Sequence, residues 1–454
     1  MTGVDFLRKL HDYCLTPAAA RVHGINPTDI GKQYMVARNP DRSKHLETAS
    51  VKIFGLDLDF VNLRKETYAD DSRNPQMEFG TAQEDARRRD ATVNALFYNL
   101  NKDEVEDFTG GIKDMKARLL KTPLEPFQTF TDDPLRVLRL VRFASRLQFN
   151  IDPNVEKYMS NEKVLESLRI KISRERVGIE VEKMLNGTHP RDALGIIHRL
   201  GLYNAIFTDP TRSLEPPPLT KKWPVAYECL NDLMQNRTPG SISDLLLRTD
   251  ESALLSWNLV TLAPWMTVKD NELNPKLPLV AVIGREGCKH PSKLTNLIAA
   301  ASRHRNGVIS LKKAIEDNEE LSMRPERLGM MVRSWDSKGG DWRIQVLNAL
   351  LVDATERLDH WITPHSYGQQ KFLVEWQSFL NHLLNANAFE APNIKRLVDG
   401  RQLADSLGVK SGKWTGQALN VCIEWQLRNP EKTDPTEAIE EVKRRRSELG
   451  IPDA

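Results

Sequence analysis

The spacing of hydrophobic positions separates a first part of the chain, with both strand and helix signals, from a longer part that is almost entirely helical. Residues 51–64 predict one or two strands, because apolar and polar side chains alternate from Leu56 to Phe60 and Gly55 is typical of a turn or bulge. A loop at residues 107–111 closes this first part. We therefore expect a small sheet near the N-terminus and helices beyond it.

Capping signals predict where two of the helices begin. Thr81 and Glu84 have the spacing of a capping box and open a predicted helix over residues 81–97. Asp133 offers a capping carboxylate and Pro134 suits the first helical position, so another helix is predicted to begin there. Beyond it, helical periodicity predicts segments near 241–262, 292–315, 340–360, 368–387, 392–407 and 434–449.

Length and a proline-rich stretch predict the division into domains. A chain of 454 residues corresponds to about three domains of typical size. Residues 206–224 read IFTDPTRSLEPPPLTKKWP and interrupt the helical periodicity, which favours a boundary. We predict a sheet-containing part at 1–121, a helical part at 122–205 and a second helical part at 206–454.

Composition excludes several classes of function. Lys and Arg total 64 and Asp and Glu total 62, a formal net charge of +2, so any basic surface is local rather than a uniform coat. The 4 cysteines have neither zinc-finger nor CxxC spacing, which argues against a disulfide framework or structural zinc. The 10 histidines include no HExxH motif, and no apolar run is long enough to predict a membrane span.

Asp57 and Asp59 are the first candidates for chemistry. Two carboxylates at i and i+2 on a strand point to the same side, where they can hold a divalent ion that activates a hydroxyl and binds a triphosphate. The alternative is the solvated polar face of an edge strand, because a DxD pattern is short and common.

A second candidate is the run Arg87-Arg88-Arg89-Asp90, with Asn94 four residues further on. On a helix Asp90 and Asn94 would share one face. Arginines beside such a pair can hold phosphate and ribose hydroxyl groups. The alternative is a solvated charge run on a surface helix.

A third candidate is an arginine stripe, in which Arg136, Arg139, Arg142 and Arg146 recur at the spacing of one helix face. Surface helices normally interleave charges of both signs, whereas residues 113–146 carry eight basic and four acidic residues. The stripe therefore favours an anion, most plausibly phosphate. The alternative is that carboxylates of another element pair with these arginines.

Asp133 and Arg136 lie one helical turn apart and place a carboxylate acceptor beside a guanidinium donor. Cytosine presents an amino donor next to an acceptor ring nitrogen, and adenine presents the same order. Uracil and guanine present a carbonyl and an N–H instead, and each mismatched group costs about 1–3 kcal/mol. The pair can therefore select C and A against U and G, although Asp133 also suits a purely capping role.

Several segments resemble the class II CCA-adding enzymes (tRNA nucleotidyltransferases), in their eukaryotic and especially fungal form. The segments are HLETASVKIFGLDLDFVNLR (45–64), GTAQEDARRRDATVNALFYN (80–99), EDFTGGIKDMKARLLKTP (106–123) and DDPLRVLRLVRFASRLQF (132–149). A weaker likeness continues in RERVGIEVEKML (174–185) and GKWTGQALNVCIEWQLRNP (412–430). The clear resemblance covers about residues 40–205.

The resemblance implies a fold and an activity. The fold is an α/β nucleotidyltransferase head of the poly(A) polymerase type at 1–121, a helical neck with a nucleotide-selecting helix at 122–205, and a helical body and tail that bind tRNA at 206–454. The activity is addition of CTP, CTP and ATP to the tRNA 3′ end, with pyrophosphate released and no nucleic-acid template. No membrane is involved. By family, the location is the mitochondrion, nucleus or cytoplasm, and the oligomeric state stays open.

The resemblance also implies roles for individual residues. It places Arg89, Asp90 and Asn94 on the ribose- and phosphate-binding segment, Asp133 and Arg136 at the base template, and Arg139 and Arg142 at the triphosphate. It makes Gly110 and Gly111 candidate hinges between head and neck. A later motif that supports the neck corresponds to Glu175, Arg176 and Glu180.

One part of the family pattern is missing. The family head opens with a GGxVRD strand and a DxD pair that binds two Mg²⁺ ions, and neither precedes residue 40 here. The resemblance therefore makes Asp59 the third catalytic carboxylate and a metal ligand, in an incomplete magnesium site. We expect an N-terminally truncated chain that adds little or no CCA, because two-metal transfer needs several carboxylates.

Three alternatives remain open on the sequence. An A-adding or poly(A) polymerase-type enzyme shares the head motifs. A non-catalytic tRNA-binding fragment would explain the missing carboxylate pair. A purely structural helical scaffold leaves the arginine stripe unexplained.

Overall fold

The computed structural model describes residues 2–36, 48–67, 76–212, 217–268, 277–337 and 340–452. Internal contacts define two compact units, Met1–Glu180 and Val181–Ala454. Residues 45–47 of the first resembling segment and 213–216 of the predicted boundary lie outside the described residues. The division into three parts, at 121/122 and 205/206, stays a prediction.

The strands of the described residues all lie in the first unit. An antiparallel sheet has the order β1-β2-β3, β4 pairs with β5 and β6 with β7 antiparallel, and the short β8 and β9 pair in parallel. The bounds are β1 Ile30–Val36, β2 Thr48–Ile53, β3 Leu56–Phe60, β4 Arg64–Thr67, β5 Gln76–Phe79, β6 Phe97–Asn99, β7 Glu104–Glu106, β8 Leu119–Leu120 and β9 Asn150–Ile151.

The predicted strand region 51–64 is confirmed as a hairpin of β2 and β3. Gly55 takes a φ of 78° in the turn, a conformation that glycine adopts without steric cost. Helix α1 covers one face of this sheet through Leu7, which packs against Val51 and Ile53. The period-two alternation of strands therefore places the Asp57 side chain on the opposite, polar face.

Helices make up most of the remaining described chain, as the periodicity predicts. The bounds are α1 Gly3–Cys14, α2 Pro17–His23, α3 Ala82–Arg87, α4 Gly111–Lys116, α5 Pro126–Asp132, α6 Arg136–Leu147, α7 Pro153–Met159, α8 Glu162–Lys171, α9 Arg174–Leu185, α10 Pro190–Arg199, α11 Tyr203–Ile206, α12 Trp223–Gln235, α13 Ile242–Leu246, α14 Asp250–Thr261, α15 Ala263–Met266, α16 Leu279–Cys288, α17 Ser292–Glu316, α18 Pro325–Asp336, α19 Trp342–Arg357, α20 Tyr367–Asn385, α21 Gly400–Leu407, α22 Thr415–Arg428 and α23 Thr436–Arg444. None of these helices combines the length and apolarity needed to cross a membrane.

The predicted helix over 81–97 is wrong beyond its first turns. The capping box at Thr81 forms and α3 begins as predicted, but the helix ends at Arg87. The backbone N–H of Thr92 donates to the carbonyl of Lys121 at 2.9 Å, a long-range bond that replaces helical pairing. A 3₁₀ turn at Thr92–Asn94 and strand β6 follow.

The helix predicted with Asp133 as its cap and Pro134 as its first residue begins at Arg136, two residues later than predicted. Asp133 is extended, with φ −139° and ψ 96°, as suits both a capping residue and a residue before proline. Its carboxylate accepts from the backbone N–H of Leu135 at 3.2 Å, as a capping side chain does. The predicted segment 392–407 is α-helical only from Gly400, where Asp399 provides a capping box, and its first two residues end a 3₁₀ helix at Ala388–Asn393.

The second unit is built around helices that bury aromatic residues. Trp223, Trp342 and Trp376 are among the largest fully buried side chains of the described residues. A separate cluster that includes Trp414 and Trp425 joins the last three helices. The four cysteines are all buried and free.

Candidate active site

The β2–β3 hairpin presents Asp57 and Asp59 on its polar face. Asp59 lies opposite Ser50 in the strand register, and the Ser50 hydroxyl donates to Asp59 Oδ1 at 2.6 Å. Asp57 lies opposite Lys52, with 3.6 Å between Nζ and Oδ1. Both carboxylates are exposed, so they can meet a ligand at this face.

These carboxylates do not by themselves fit a site for two magnesium ions. Within the described ranges, no three Asp, Glu, His or Cys side chains come together as a possible metal site. Two ions held about 3.5–4 Å apart need more anionic ligands than this pair provides. The lysine beside Asp57 further reduces the negative charge available on this face.

Asp85, which the sequence interpretation did not single out, organises the arginine run. It is almost fully buried and accepts from Arg88 Nε at 2.9 Å and from Arg89 Nη2 at 2.9 Å. Burial opposes ionisation, but hydrogen bonds and charge from both guanidinium groups outweigh it and lower the pKa of Asp85. The spacing of Asp85 to these arginines, i+3 and i+4 on α3, was the signal available in the sequence.

Asp90 and Asn94 come together although no helix joins them. Asn94 Nδ2 donates to Asp90 Oδ1 at 3.1 Å, and Arg89 Nη1 donates to the Asn94 carbonyl at 3.1 Å. Asp90 is only 5% exposed and its second oxygen accepts from Arg139 Nε. The proposed ribose- and phosphate-binding residues and one residue of the stripe therefore form one connected network.

The arginine stripe of α6 contacts groups of the protein itself. Besides the bond from Arg139 to Asp90, Arg142 Nε donates to Glu180 Oε2 at 2.7 Å. Arg136 is buried and its Nη2 donates to the Arg88 carbonyl at 2.7 Å. Arg139 and Arg142 therefore pair with carboxylates of other elements, as the alternative interpretation of the stripe expects.

These contacts leave room for further hydrogen bonds. A guanidinium has five N–H donors, and the bonds of Arg139 and Arg142 to their carboxylates use only Nε. The Arg139 side chain is 33% exposed. Arg146, the last member of the stripe, is exposed.

Asp133 sits beside this arginine face and has a partner that the template interpretation did not include. Its Oδ2 accepts from Arg176 Nη2 at 3.0 Å, while Oδ1 accepts from the Leu135 amide. Asp133 keeps a quarter of its side chain exposed, whereas Arg136 is buried. Arg176 thus fixes the direction of the carboxylate that the base would meet.

The DFTGG loop is held by Asp107, whose two oxygens accept four backbone N–H groups, from Thr109 to Ile112, at 2.8–3.2 Å. Burial works against ionisation, but these four bonds lower the pKa of Asp107. Gly110 has a φ of 81°, a conformation that favours glycine. The role of Gly110 and Gly111 as hinges stays a prediction.

Comparison with protein families matches two parts of the chain. A model of the poly A polymerase head domain matches residues 22–121. A model of a probable RNA and SrmB-binding site of polymerase A matches residues 148–213. The predicted α/β head followed by a helical remainder is thereby confirmed.

Similar curated proteins cover nearly the whole chain. Nucleotidyltransferase lcsQ of Purpureocillium lilacinum is 54% identical, over 100% of this chain and 83% of that protein. The mitochondrial CCA tRNA nucleotidyltransferase of Saccharomyces cerevisiae is 34% identical, over 96% of this chain and 81% of that protein. The tRNA nucleotidyltransferase cca2 of Schizosaccharomyces pombe is 32% identical, over 95% and 84%.

Solved structures share the fold at lower identity. A CCA-adding enzyme in its apo form II superimposes with a TM-score of 0.61 at 20% identity, over 91% of this chain and 82% of that chain. A CCA-adding enzyme in complex with ATP gives a TM-score of 0.58 at 20% identity, over 96% and 84%. At this identity the likeness concerns the fold alone.

Proposed function

The chain belongs to the tRNA nucleotidyltransferase family of CCA-adding enzymes, and from this premise we propose that its function is to add CTP, CTP and ATP to the 3′ end of tRNA. The observation that carries the proposal is the position of Asp133 and Arg136 beside the arginine face of α6 and the Asp90–Asn94 network. This arrangement provides groups for the base, the ribose and the triphosphate of one nucleotide.

The base meets the carboxylate of Asp133 and the guanidinium of Arg136. The carboxylate accepts from the exocyclic amino group of cytosine or adenine, and Arg136 donates to the neighbouring ring nitrogen. Because Arg136 donates to the Arg88 and Thr129 carbonyls, a bound base takes over or shares these donors. Uracil and guanine would place a carbonyl oxygen against the carboxylate. Each mismatched group would cost about 1–3 kcal/mol of binding free energy.

The sugar and the triphosphate extend from the base toward Arg89, Asn94, Arg139 and Arg142. Asp90 and Glu180 hold two of these guanidinium groups in place, so they are preorganised for an anion rather than free to rotate. Planar guanidinium groups bind phosphate oxygens in pairs. The acids therefore position the arginines as well as neutralising them.

We further propose that the polypeptide of these 454 residues incorporates little CTP or ATP by itself. This proposal rests on the metal ligands: among the described residues no third carboxylate joins Asp57 and Asp59, and two-metal transfer needs several. Magnesium, which the family uses, would supply charge neutralisation and an activated 3′-hydroxyl when bound. Asp59 is the residue of this chain that we assign to that metal.

The test of both proposals is incubation of the purified chain with CCA-less tRNA, labelled CTP and ATP, and magnesium. Selective binding of CTP and ATP over UTP and GTP, with or without incorporation, supports the CCA-adding function. Robust addition of CCA supports the function and contradicts the second proposal. Absence of both selective binding and incorporation contradicts the function.

A non-catalytic tRNA-binding role is the second candidate, favoured because the described residues bring no third metal-ligating side chain to Asp57 and Asp59. It predicts tRNA affinity without nucleotide selectivity. An A-adding activity would instead yield an A tail on the same CCA-less tRNA; the A-adding tRNA nucleotidyltransferase of Aquifex aeolicus is 34% identical over 159 residues. The products therefore separate the three functions.

We also propose a mitochondrial location, because the Saccharomyces cerevisiae and Candida glabrata relatives carry mitochondrial names. Fractionation of the source cells with antibody detection tests it. Recovery of the protein solely in another fraction would contradict the proposal.

A further inference from the structure

Two adjoining cavities in the second unit share two arginines. A cavity of ≈250 Å³ lies beside the start of α14, and one of ≈450 Å³ lies beside α13 and the end of α20. Arg248 and Arg343 line both. We call the combined space the Arg248–Arg343 cleft. It lies entirely within Val181–Ala454 and contains none of the residues assigned above to the nucleotide.

The carboxylates that line this cleft are already satisfied by other groups. Glu251 contacts Lys293 at 2.6 Å, and Asp244 lies 3.5 Å from Arg237. Asp341 caps α19 by accepting from two backbone N–H groups, and Glu390 accepts from an asparagine amide at 2.8 Å. Glu390 and Asp341 still act on Arg343 through their charge, but burial and the charge of Arg248 outweigh them.

Arg248 and Arg343 form no ion pair with any carboxylate of the described residues. Across the described ranges, neither guanidinium has a carboxylate oxygen within the 4.0 Å of an ion pair. Arg343 is half-buried, and its Nε donates to the Leu245 carbonyl at 3.2 Å. Its guanidinium lies 4.6 Å from the Trp342 ring centre and 5.4 Å from that of Phe389.

The two positive charges disfavour one another. Burial and the nearby charge of Arg248 lower the pKa of Arg343. Each arginine also stands at the start of a helix, two residues before α14 or in the first turn of α19, where the partial charge of the backbone is positive. An anion between the two guanidinium groups would relieve this repulsion.

We propose that the Arg248–Arg343 cleft binds phosphate groups of the tRNA backbone. Arginine is suited to phosphate because its planar donors bind two oxygens together. Two adjoining cavities with a third arginine, Arg237, along their length suit an extended phosphodiester chain better than one small anion. The inference rests on the proposed function and assigns to the second unit a specific contact with the same substrate.

The experiment measures the affinity of the full chain for fluorescent CCA-less tRNA at several salt concentrations. Arg248→Ala weakens binding about tenfold and reduces the salt slope by roughly 0.7–0.9 for each lost phosphate contact. Arg248→Lys, which keeps the charge, restores part of the affinity. Arg343→Gln adds to the loss; since this residue is half-buried, thermal unfolding of each variant checks its fold.

Arg285→Ala is the matched control. Arg285 is an exposed arginine of the same unit that pairs with Glu286, so its removal changes the net charge equally and leaves tRNA affinity within twofold. Equal affinity of wild type and Arg248→Ala would overturn the inference while leaving the proposed function intact. Failure of the wild type to bind any tRNA would overturn both.

Titration with inorganic phosphate separates the two sources of the anion. Competition with tRNA only at concentrations that act through ionic strength supports a backbone contact. Saturable phosphate binding that Arg248→Ala abolishes, with unchanged tRNA affinity, would show a site for free phosphate and overturn the proposal.

Discussion

Asp133 shows how much a single side chain depends on neighbours that are distant in sequence. Arg176 and the Leu135 amide hold its two oxygens, so the carboxylate has a defined direction while remaining partly exposed. A capping role and a base-selecting role are therefore compatible. Each oxygen can accept more than one bond, which leaves capacity for an amino group.

Asp133→Ala should remove the preference for CTP over UTP. The alanine takes away the acceptor for the cytosine amino group, and the expected loss is about 1–2 kcal/mol, or about tenfold in the ratio of affinities. Equilibrium binding of the two nucleotides measures it. Asp132→Ala, which removes the adjacent carboxylate, is the control and should keep the preference; an unchanged ratio in Asp133→Ala would contradict the template assignment.

Arg139→Gln should lower stability near neutral pH by about 2 kcal/mol, because it removes the charge that compensates buried Asp90. Burial opposes ionisation of Asp90, but Arg139 and Asn94 outweigh it and lower its pKa. The stabilisation is therefore present above the unfolded pKa of about 3.9 and is lost as pH falls through the folded pKa.

Urea unfolding between pH 3 and pH 7 measures this effect. The difference between wild type and Arg139→Gln should be largest near pH 7 and shrink below about pH 4. Arg146→Gln, at an exposed position of the same stripe, should change the free energy of unfolding by less than about 0.5 kcal/mol. A difference that grows at acid pH would contradict the assigned pair.

At the scale of elements, the segment after α3 links α6 to α4: Arg136 donates to the Arg88 carbonyl and Arg139 to Asp90, while the 3₁₀ turn that follows packs against α4. Asp85 ties the end of α3 to two arginines, and Asp107 ties the DFTGG loop to the start of α4. The short 3₁₀ turn between them places Asn94 against Asp90. Irregular backbone, rather than one long helix, therefore brings these polar groups together.

Gly111→Ala should destabilise the chain by about 2 kcal/mol, because an added Cβ would lie 2.3 Å from the Thr92 carbonyl oxygen. Gly195→Ala is the matched control, since nothing lies within 4 Å of its Cβ position inside α10 and alanine should stabilise that helix by about 0.5–1 kcal/mol. Denaturant unfolding compares them. Equal stability of Gly111→Ala and wild type would contradict the close approach.

At the scale of the whole molecule, two compact units divide the assigned tasks. The groups that we assign to the base, the ribose and the triphosphate belong to Met1–Glu180, whereas the Arg248–Arg343 cleft belongs to Val181–Ala454. The net charge of +2 gives no sign of this division, because the 64 basic and 62 acidic residues nearly cancel over the whole chain. The candidate binding surfaces are distinguished by which arginines pair with carboxylates, and not by the overall charge.

CTP should therefore protect the first unit preferentially. At a concentration 100 times its dissociation constant, a ligand stabilises the state that it binds by about 2.7 kcal/mol. Hydrogen exchange should slow in α3, α6 and the loop before β6, with little change in α14 or α19. UTP is the control, and equal protection by UTP, or protection confined to the second unit, would contradict the assignment.

The sequence by itself determined the family, the β2–β3 hairpin and the largely helical second unit, because alternation, helical periodicity and ordered motifs are local patterns. It did not determine the end of α3 at Arg87 or the delayed start of α6. A backbone bond from Thr92 to Lys121 decides the course of the chain after α3, and tight turns closed by the N–H groups of Arg136 and Val137 on the Asp133 and Pro134 carbonyls precede α6.

Only the tertiary structure decided which charges of the site meet. Asp90 meets Arg139, Glu180 meets Arg142 and Arg176 meets Asp133, each across at least 38 positions of sequence. The same is true of Arg248 and Arg343, which share a cleft that no local pattern marks. Periodicity fixes the face on which a side chain lies, whereas packing between distant segments decides whether that face meets a carboxylate, a carbonyl or solvent.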